Sequence, residues 1–303
     1  MSPAPFSASR WLSFEAMVYR TVLLTLAAAG IAFASDARNL APAVQGPYLV
    51  WLGTLTVNPM DVGSYSALGW RERIYESGNV WLNYNHLGME LFGDLHPYEL
   101  SVGSRLVVQP TSFLTAALSY RLVNFPNGVA SFEGGKRWSE SRVHKELWDE
   151  NRLNFNTFGD EFSLKVSLHK DWGAWQGSLP VEWGRLDIRD ELRDSIYIPS
   201  VDLIARSRDD HMRVAPTFGY RFDAPFLFGA GVAHTLTWSM DHEIMNQRSG
   251  LWYQIWPFSA RSKGEMRYWS MTARLDLWTE NEYKQMQPRL ELSLGWDRNL
   301  LQD

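Results

Sequence analysis

Residues 267–278, RYWSMTARLDLW, alternate between two kinds of side chain, and this alternation constrains the fold more than any other feature of the chain. One side carries Trp269, Met271, Ala273, Leu275 and Leu277, and the other carries Tyr268, Ser270, Thr272, Arg274 and Asp276. A period of two is that of a β-strand with one apolar face and one polar face. A single strand of this kind fits many folds, so its repetition decides the interpretation.

The same alternation returns along most of the chain. It predicts strands over residues 100–109, 114–122, 162–169, 175–183, 201–206, 212–222, 226–240, 251–260, 267–278 and 289–296. Short turns at 110–112 and 223–225 join antiparallel neighbours. We therefore predict an all-β fold, an antiparallel transmembrane β-barrel of about 10–12 strands whose apolar face meets lipid and whose polar face lines the lumen. Trp269, Leu275, Leu292, Phe218 and Trp238 are expected to face outward.

Two stretches before residue 100 are less regular. Residues 48–57, YLVWLGTLTV, have strand composition and fit a first barrel strand, a segment inside the barrel, or a periplasmic segment. Residues 80–85 alternate as a strand does, and the apolar phase then switches, which predicts a turn or bulge near His86.

The chain begins with a pattern typical of export. Arg20 precedes the apolar run TVLLTLAAAGIAFA, and Ala32-Phe33-Ala34 supplies the small residues of a cleavage site. We predict a signal peptide over residues 1–34, with Met17 as an alternative start. Residues 35–77 form an N-terminal segment that holds the candidate first strand, and residues 78–303 form the barrel.

Composition narrows the function classes. The chain has no cysteine, which excludes disulfides, thiolate metal sites and cysteine nucleophiles. A net charge of −5 without a basic cluster argues against nucleic-acid binding. Aromatic residues make up 14% of the chain, and these fit either aromatic girdles at the membrane interfaces or the core of a soluble periplasmic β-sandwich.

The export signal, the repeated alternating strands, the short turns with Pro, Asp and Gly and the aromatic excess resemble bacterial outer-membrane β-barrel proteins as a class. The resemblance covers roughly residues 78–301 and implies a porin-like barrel in the outer membrane, surrounded by its lipid. It is architectural, so it carries over no functional residue.

The polar faces of the predicted strands are rich in charge. We expect the lumen to be lined by Arg105, Arg121, Lys165, Glu182, Asp202, Arg206, Arg213, Arg221, Arg274, Asp276, Arg289 and Glu291, and Asp241 is assigned to the same face. Basic residues exceed acidic ones in this set. One interpretation is an ion-paired network that fills a narrow barrel, since charges removed from water need partners. The other is a channel whose positive wall attracts small anionic solutes.

Two further functions remain open. A lipid-modifying hydrolase needs a nucleophile and a base, and Ser167 with His169 is the candidate pair, although both are assigned to the lumenal face. His234 is assigned to the lipid face, but its strand offers no serine there, and His144 with Ser139 or Ser141 is a weaker candidate pair. A structural or receptor barrel would use the polar loop 124–152 to bind a partner. The sequence indicates no metal site, no cofactor and no particular oligomeric state.

Overall fold

A computed structural model describes residues 45–57, 61–97, 99–125, 131–132, 157–189, 195–198, 203–205, 208–222, 227–241, 244–256, 268–280 and 287–299. The predicted signal peptide, residues 1–34, lies outside this part of the chain. The strands are β1 Gly46–Val57, β2 Asp61–Glu72, β3 His86–Leu95, β4 Leu100–Thr111, β5 Leu114–Phe125, β6 Ser131–Phe132, β7 Thr157–Trp172, β8 Trp175–Ile188, β9 Ser195–Ile198, β10 Leu203–Ala205, β11 Arg208–Val214, β12 Thr217–Phe222, β13 Leu227–Ser239, β14 Ile244–Trp256, β15 Tyr268–Glu280 and β16 Pro288–Asn299, and one helical turn, α1, spans Val80–Asn83.

The long strands form one closed antiparallel barrel. Each pairs with the next along the order β1, β2, β3, β4, β5, β7, β8, β11 with β12, β13, β14, β15 and β16, and β16 pairs with β1. The segments β11 and β12 occupy one place in this order, because both lie between β8 and β13 in a continuous register. The barrel therefore has twelve strands, and the predicted fold class is confirmed.

Prolines explain the break between β11 and β12. Pro216 accepts a hydrogen bond from His234 N, but it has no N–H and cannot donate one in return. Ala215 N likewise donates to the carbonyl of Pro180, which has no N–H either. The chain stays extended through this point while the ladder loses donors on two neighbouring strands.

The first two strands extend the barrel beyond the prediction. Residues 48–57 lie in β1, which pairs with β2 and β16, so the first of the three alternatives applies. The strand β2 was not predicted, because its inner face carries small residues, Gly63, Ala67 and Gly69, and its outer face carries Ser64 and Ser66.

The two ends of the barrel differ in their connections. At one end, the turn end, lie the first residue of β1, the last of β16 and the two-residue turns 112–113 and 173–174. At the other, the loop end, the longest connections, 126–156 and 189–207, join β5 to β7 and β8 to β11. Outer-membrane barrels place short turns in the periplasm and long loops outside the cell, and on that pattern the turn end corresponds to the periplasmic end.

The outer face is apolar and exposed around the wall. Its residues include Leu68, Leu91, Met89, Val102, Leu106, Leu118, Leu164, Val232, Leu251, Leu275 and Leu292. Near the turn end, Trp175, Phe218, Tyr220, Phe222 and Phe228 stack against one another across three strands. Phe218, Leu275 and Leu292 face outward as predicted, whereas the side chain of Trp269 lies outside those that the structure describes.

The predicted strand over residues 201–206 is not part of the barrel wall. Within it, β10 pairs with β9, and β9 pairs with β6, in a separate three-stranded sheet. This sheet joins the two longest loop-end connections, since β6 lies in the first and β9 and β10 lie in the second. The rest of the predicted loop 124–152 falls mostly outside the described residues, and its first residues, Asn124 and Phe125, belong to β5.

The prediction of a strand over residues 80–85 was wrong. Asn79 caps a helical turn there by accepting a hydrogen bond from Trp81 N, and this turn, α1, precedes β3. The buried side chain of Asn85 then holds the connection through bonds with Ile74 N, Tyr75 N and the carbonyls of Tyr75 and Leu82.

Among the described residues, no helix has the length and apolar character needed to cross a membrane.

Candidate functional site

The inner face of the barrel is identified by side chains that reach across a neighbouring strand. The Tyr48 hydroxyl on β1 donates to Glu90 on β3, passing over Gly69 of β2, where a Cβ would lie 2.5 Å from the tyrosine ring. Arg274 on β15 donates to Thr235 Oγ1 on β13 at 2.9 Å. Only the concave side of a closed sheet brings such residues together.

The register places most of the predicted lumen residues on this face. They are Arg105, Arg121, Lys165, Glu182, Arg213, Arg221, Arg274, Asp276, Arg289 and Glu291. Asp202 and Arg206 lie outside the described residues. Asp241 was expected near the lumen, but it follows the end of β13 and is exposed at the loop end.

The register also turns inward several charged residues that the sequence assignment omitted. The basic ones are Arg71 and Arg248, and the acidic ones are Glu90, Asp94, Glu99, Glu161, Asp171 and Asp209. The sequence could have assigned some of these residues to the inner face. Glu90, for example, lies between the outward residues Met89 and Leu91. With these residues included, basic and acidic side chains on the described inner wall are equal in number, and the excess of positive charge expected from the sequence is offset.

At middle height, one side of the wall holds a connected polar group on β1 to β5. Arg105 Nη1 donates to Tyr65 OH at 3.0 Å and to Glu90 Oε2 at 3.2 Å, and its Nε donates to Ser119 Oγ at 3.2 Å. Glu90 also accepts the Tyr48 hydroxyl. Each partner restricts the arginine, so this guanidinium is fixed against the wall.

The next strands at the same height carry less constrained cations. Lys165 on β7 and Arg213 on β11 are both direct register partners of Glu182 on β8. Within the described part of the chain, neither cation has a carboxylate oxygen within the 4.0 Å limit of an ion pair. Lys165 is an exposed residue although it points inward.

Strands β14, β15 and β16, which continue the wall on the other side of β1, concentrate three arginines around one carboxylate. Asp276 on β15 is fully buried, and Arg274 Nε lies 2.8 Å from its carboxylate, with Arg248 Nε at 3.5 Å and Arg289 Nη1 at 3.9 Å. Arg289 Nη1 also contacts Glu291 Oε2 at 2.5 Å. A shared buried carboxylate compensates the desolvation of the arginines, so this cluster holds β14, β15 and β16 together.

A second buried cluster lies toward the loop end. Arg121 on β5 donates through Nη1 to Glu99 Oε1 at 2.8 Å and through Nε to Glu161 Oε2 at 2.7 Å. His211 Nε2 on β11 lies 3.5 Å from the other oxygen of Glu161. Val123, Phe125, Leu186 and Ile188 are buried on the inner face around this cluster, so the interior is tightly packed at this height.

A cavity occupies the turn-end half of the interior. It has a volume of about 420 Å³ and is lined by His169, Asp171, Gln176, Gly177, Ser178, Thr217, Ala233, Trp252, Gln254, Thr272, Arg274 and Glu291. Trp252 is an inward aromatic that the sequence did not single out, and Gly219 and Gly229 leave the space that its ring occupies. The lining mixes one indole with amide, carboxylate and guanidinium groups, as in a site for a polar solute.

The candidate catalytic pair is not assembled. Ser167 and His169 both point inward on β7, and His169 lines the cavity, but no hydrogen bond joins the two side chains in the described structure. His144, Ser139 and Ser141 lie outside the described residues. No group of three or more His, Asp or Glu side chains within the described ranges could hold a metal ion.

The fold and its surface define the class of protein. A closed antiparallel barrel leaves no unpaired edge, and an exposed aliphatic outer face with a polar interior is what a sheet needs to cross a lipid bilayer. The chain therefore has the fold and the surface of a transmembrane β-barrel.

Comparison with known proteins adds no family to this class. No family model matches the chain, and no curated protein matches it. Among solved structures, the chain is similar to the β-domain of the Bordetella autotransporter BrkA, with 13% identity, a TM-score of 0.45 and coverage of 83% of this chain and 98% of that one. It is also similar to an outer membrane channel from Pseudomonas putida F1, with 13% identity, a TM-score of 0.41 and coverage of 88% and 100%. The translocator domain of the autotransporter NalP from Neisseria meningitidis has 8% identity, a TM-score of 0.40 and coverage of 94% and 98%.

Proposed function

We propose that the barrel is a narrow channel for small polar solutes and that it favours anions. The observation that carries this proposal is Lys165, an exposed residue that points into the lumen beside Arg213, with no carboxylate within ion-pair distance of either cation among the described residues. A structural barrel filled by ion pairs would leave no such group in contact with lumenal water.

The preference for anions is local and modest. Because the basic and acidic side chains described on the inner wall are equal in number, these residues together do not select strongly for either sign. A permeating anion within about 4 Å of one cation gains about 1 kcal/mol at the dielectric constant of water, and more where the wall excludes water. Lys165 and Arg213 act at middle height, next to the cavity in the turn-end half of the interior.

The packed interior near the loop end limits the size of the solute. Arg121, Glu99 and Glu161 lie between that end and the cavity, and the apolar residues around them are buried. We therefore expect passage of ions and small polar molecules, and exclusion of molecules that fill the cavity. Lipid of the outer membrane surrounds the barrel, and the solute is its transient partner.

Reversal potentials in a planar bilayer test the proposal. Purified protein in a salt gradient is expected to show a preference for chloride over potassium, and Lys165→Glu and Arg213→Glu are expected to move the reversal potential toward cation selectivity. The effect should weaken at high salt, because the screening length falls to about 3 Å at 1 M. Arg185→Glu is the matched control, since the same charge change lies on the outer face of β8.

Two outcomes would contradict the proposal. A cation-selective wild type would show that the acidic residues of the lumen outweigh Lys165 and Arg213. Absence of any conductance from correctly folded protein would favour a closed, ion-paired barrel that serves as a structural element or as a receptor through its loop-end connections.

A further inference from the structure

The outer face carries a histidine and a serine in direct contact, and this pair is independent of the proposed channel. His234 on β13 and Ser249 on β14 are register partners, and His234 Nδ1 lies 2.8 Å from Ser249 Oγ. The sequence assigns His234 to the lipid face of a strand that carries no serine on that face. Ser249 lies on the neighbouring strand β14, so the pair became apparent only from the register.

The surroundings of the pair are apolar and open to lipid. Val232 is 54% exposed beside His234, Leu251 is 63% exposed beside Ser249, and Leu275, the register partner of Leu251, is 53% exposed. An imidazole and a hydroxyl in these apolar surroundings destabilise the membrane-inserted barrel relative to aliphatic residues, because polar groups are costly to remove from water. Ionisable residues in the membrane region commonly mark a function.

Burial on the outer face places the pair at a boundary. Leu236 and Gln247, one outward position nearer the loop end on each strand, are 7% and 8% exposed although they share the outer face with His234 and Ser249. The outer face directly above the pair is therefore buried, while the outer face below it is exposed. A lipid beside the barrel would bring its acyl chains to the exposed part of the wall and its more polar part to the buried edge.

We propose that His234 and Ser249 form a catalytic dyad that cleaves the acyl ester bond of a membrane lipid. The hydroxyl and the imidazole are within the reach that a nucleophile and its general base require. The substrate class is a long-chain acyl ester, because the dyad faces lipid and the adjoining surface is aliphatic. Ser167 and His169 lack this contact and face the water-filled side of the wall.

The reaction balances with water as the only co-reactant. Ser249 Oγ attacks the ester carbonyl carbon while its proton passes to His234 Nδ1. The tetrahedral intermediate then collapses, the bond to the alkoxy oxygen breaks, and the departing alcohol takes the proton from His234. Water, deprotonated by His234, attacks the acyl-serine ester, and the fatty acid leaves as Ser249 regains its proton.

Fatty-acid release from the full-length protein in detergent micelles tests the dyad. Wild type is expected to hydrolyse a long-chain phospholipid and a long-chain p-nitrophenyl ester, and to leave a water-soluble short-chain ester untouched. Ser249→Ala is expected to reduce the rate by a factor of about 100 or more, because general-base and nucleophilic catalysis together supply at least that. Cleavage of the nitrophenyl ester without the phospholipid would identify a free acyl ester as the substrate.

Matched variants separate this site from other serines. Ser104→Ala removes an exposed outward serine on β4, and Ser167→Ala removes the inward candidate on β7, and both should keep the wild-type rate. A long-chain sulfonyl fluoride should modify wild type at Ser249, as located by peptide mass spectrometry, and should not label the His234→Ala variant. Heat-dependent gel mobility establishes that each variant is folded.

The proposal fails if folded wild type releases no fatty acid, or if Ser249→Ala retains the wild-type rate. Equal labelling of Ser104 and Ser249 would also overturn it, since it would show that His234 does not activate its neighbour. Conductance of Ser249→Ala should equal that of wild type, so the channel and the hydrolase can fail separately.

Discussion

The carboxylate of Asp276 is fully buried, and the guanidinium groups of Arg248, Arg274 and Arg289 converge on it. Asp276→Asn keeps the size of the side chain and removes the charge that the three arginines share. Loss of one partner from a buried ion pair typically costs about 3–5 kcal/mol, because a buried charge is left uncompensated. We expect a destabilisation of that order, measured by urea unfolding of protein folded into lipid vesicles.

Asp187→Asn is the control for this prediction. Asp187 accepts from Arg208 Nε at 3.1 Å, but their side chains are 40% and 77% exposed. Exposed pairs contribute about 0–1 kcal/mol, so this variant should unfold close to wild type. Equal effects of the two substitutions would show that the Asp276 cluster is hydrated and does not stabilise the wall.

Individual strands were predictable where their two faces differ in polarity. Strands β4, β5, β7, β13 and β15 follow the alternation closely, whereas β2 was missed because small and polar residues occupy both of its faces. The helical turn α1 was predicted as a strand because six residues are too few to separate the two periods, and the cap at Asn79 decided the outcome.

The polarity of a strand also predicts the cost of a charge on it. Leu275 lies near the middle of β15 and faces lipid, so Leu275→Arg should destabilise the barrel by about 2–4 kcal/mol. Thr279→Arg on the same face, near the loop end, should cost about 0–1 kcal/mol, because that position approaches the interface. Urea unfolding in vesicles measures both, and similar costs at the two depths would contradict the assignment of β15 as a membrane-spanning strand.

At the scale of the whole molecule, neither the closure of the barrel nor the balance of charge on its inner wall could be predicted from the sequence. Closure depends on the pairing of β1 with β16, which are far apart in sequence. The charge balance of the described inner wall depends on residues such as Glu161, which precedes the predicted strand 162–169, and Asp209, which lies near the start of β11. Most of the lumenal arginines lie on strands that the alternation predicted, whereas Arg71 on β2 and several acidic partners on other strands were placed only from the register.

The pairing of β1 with β16 can be tested by a crosslink, since the chain has no cysteine of its own. Leu55 and Leu292 are direct partners across this seam. Directly opposed residues in an antiparallel pair have Cα atoms about 4.5–5.5 Å apart, which falls within the range that a disulfide spans. Leu55→Cys combined with Leu292→Cys should therefore form an intramolecular disulfide on oxidation, visible as altered mobility on a non-reducing gel.

The control pair combines Leu55→Cys with Leu118→Cys. Leu118 also faces outward, but it lies on β5, which β2, β3 and β4 separate from β1. This pair should stay reduced within one molecule. Absence of the seam disulfide in folded protein would show that the sheet is open between β1 and β16.

The two prolines of the wall have a consequence for its motion. Pro180 and Pro216 have no N–H to donate to the neighbouring strand, and the two residues lie at nearly the same height of the wall. Inside a bilayer no water replaces the missing donors. The free energy of local opening should therefore be lowest there, and amide hydrogen exchange at Ala215 and His234 should outpace exchange along the unbroken ladder of β14 and β15. Local opening of the sheet would thus be concentrated beside Pro180 and Pro216, while the barrel stays closed around its circumference.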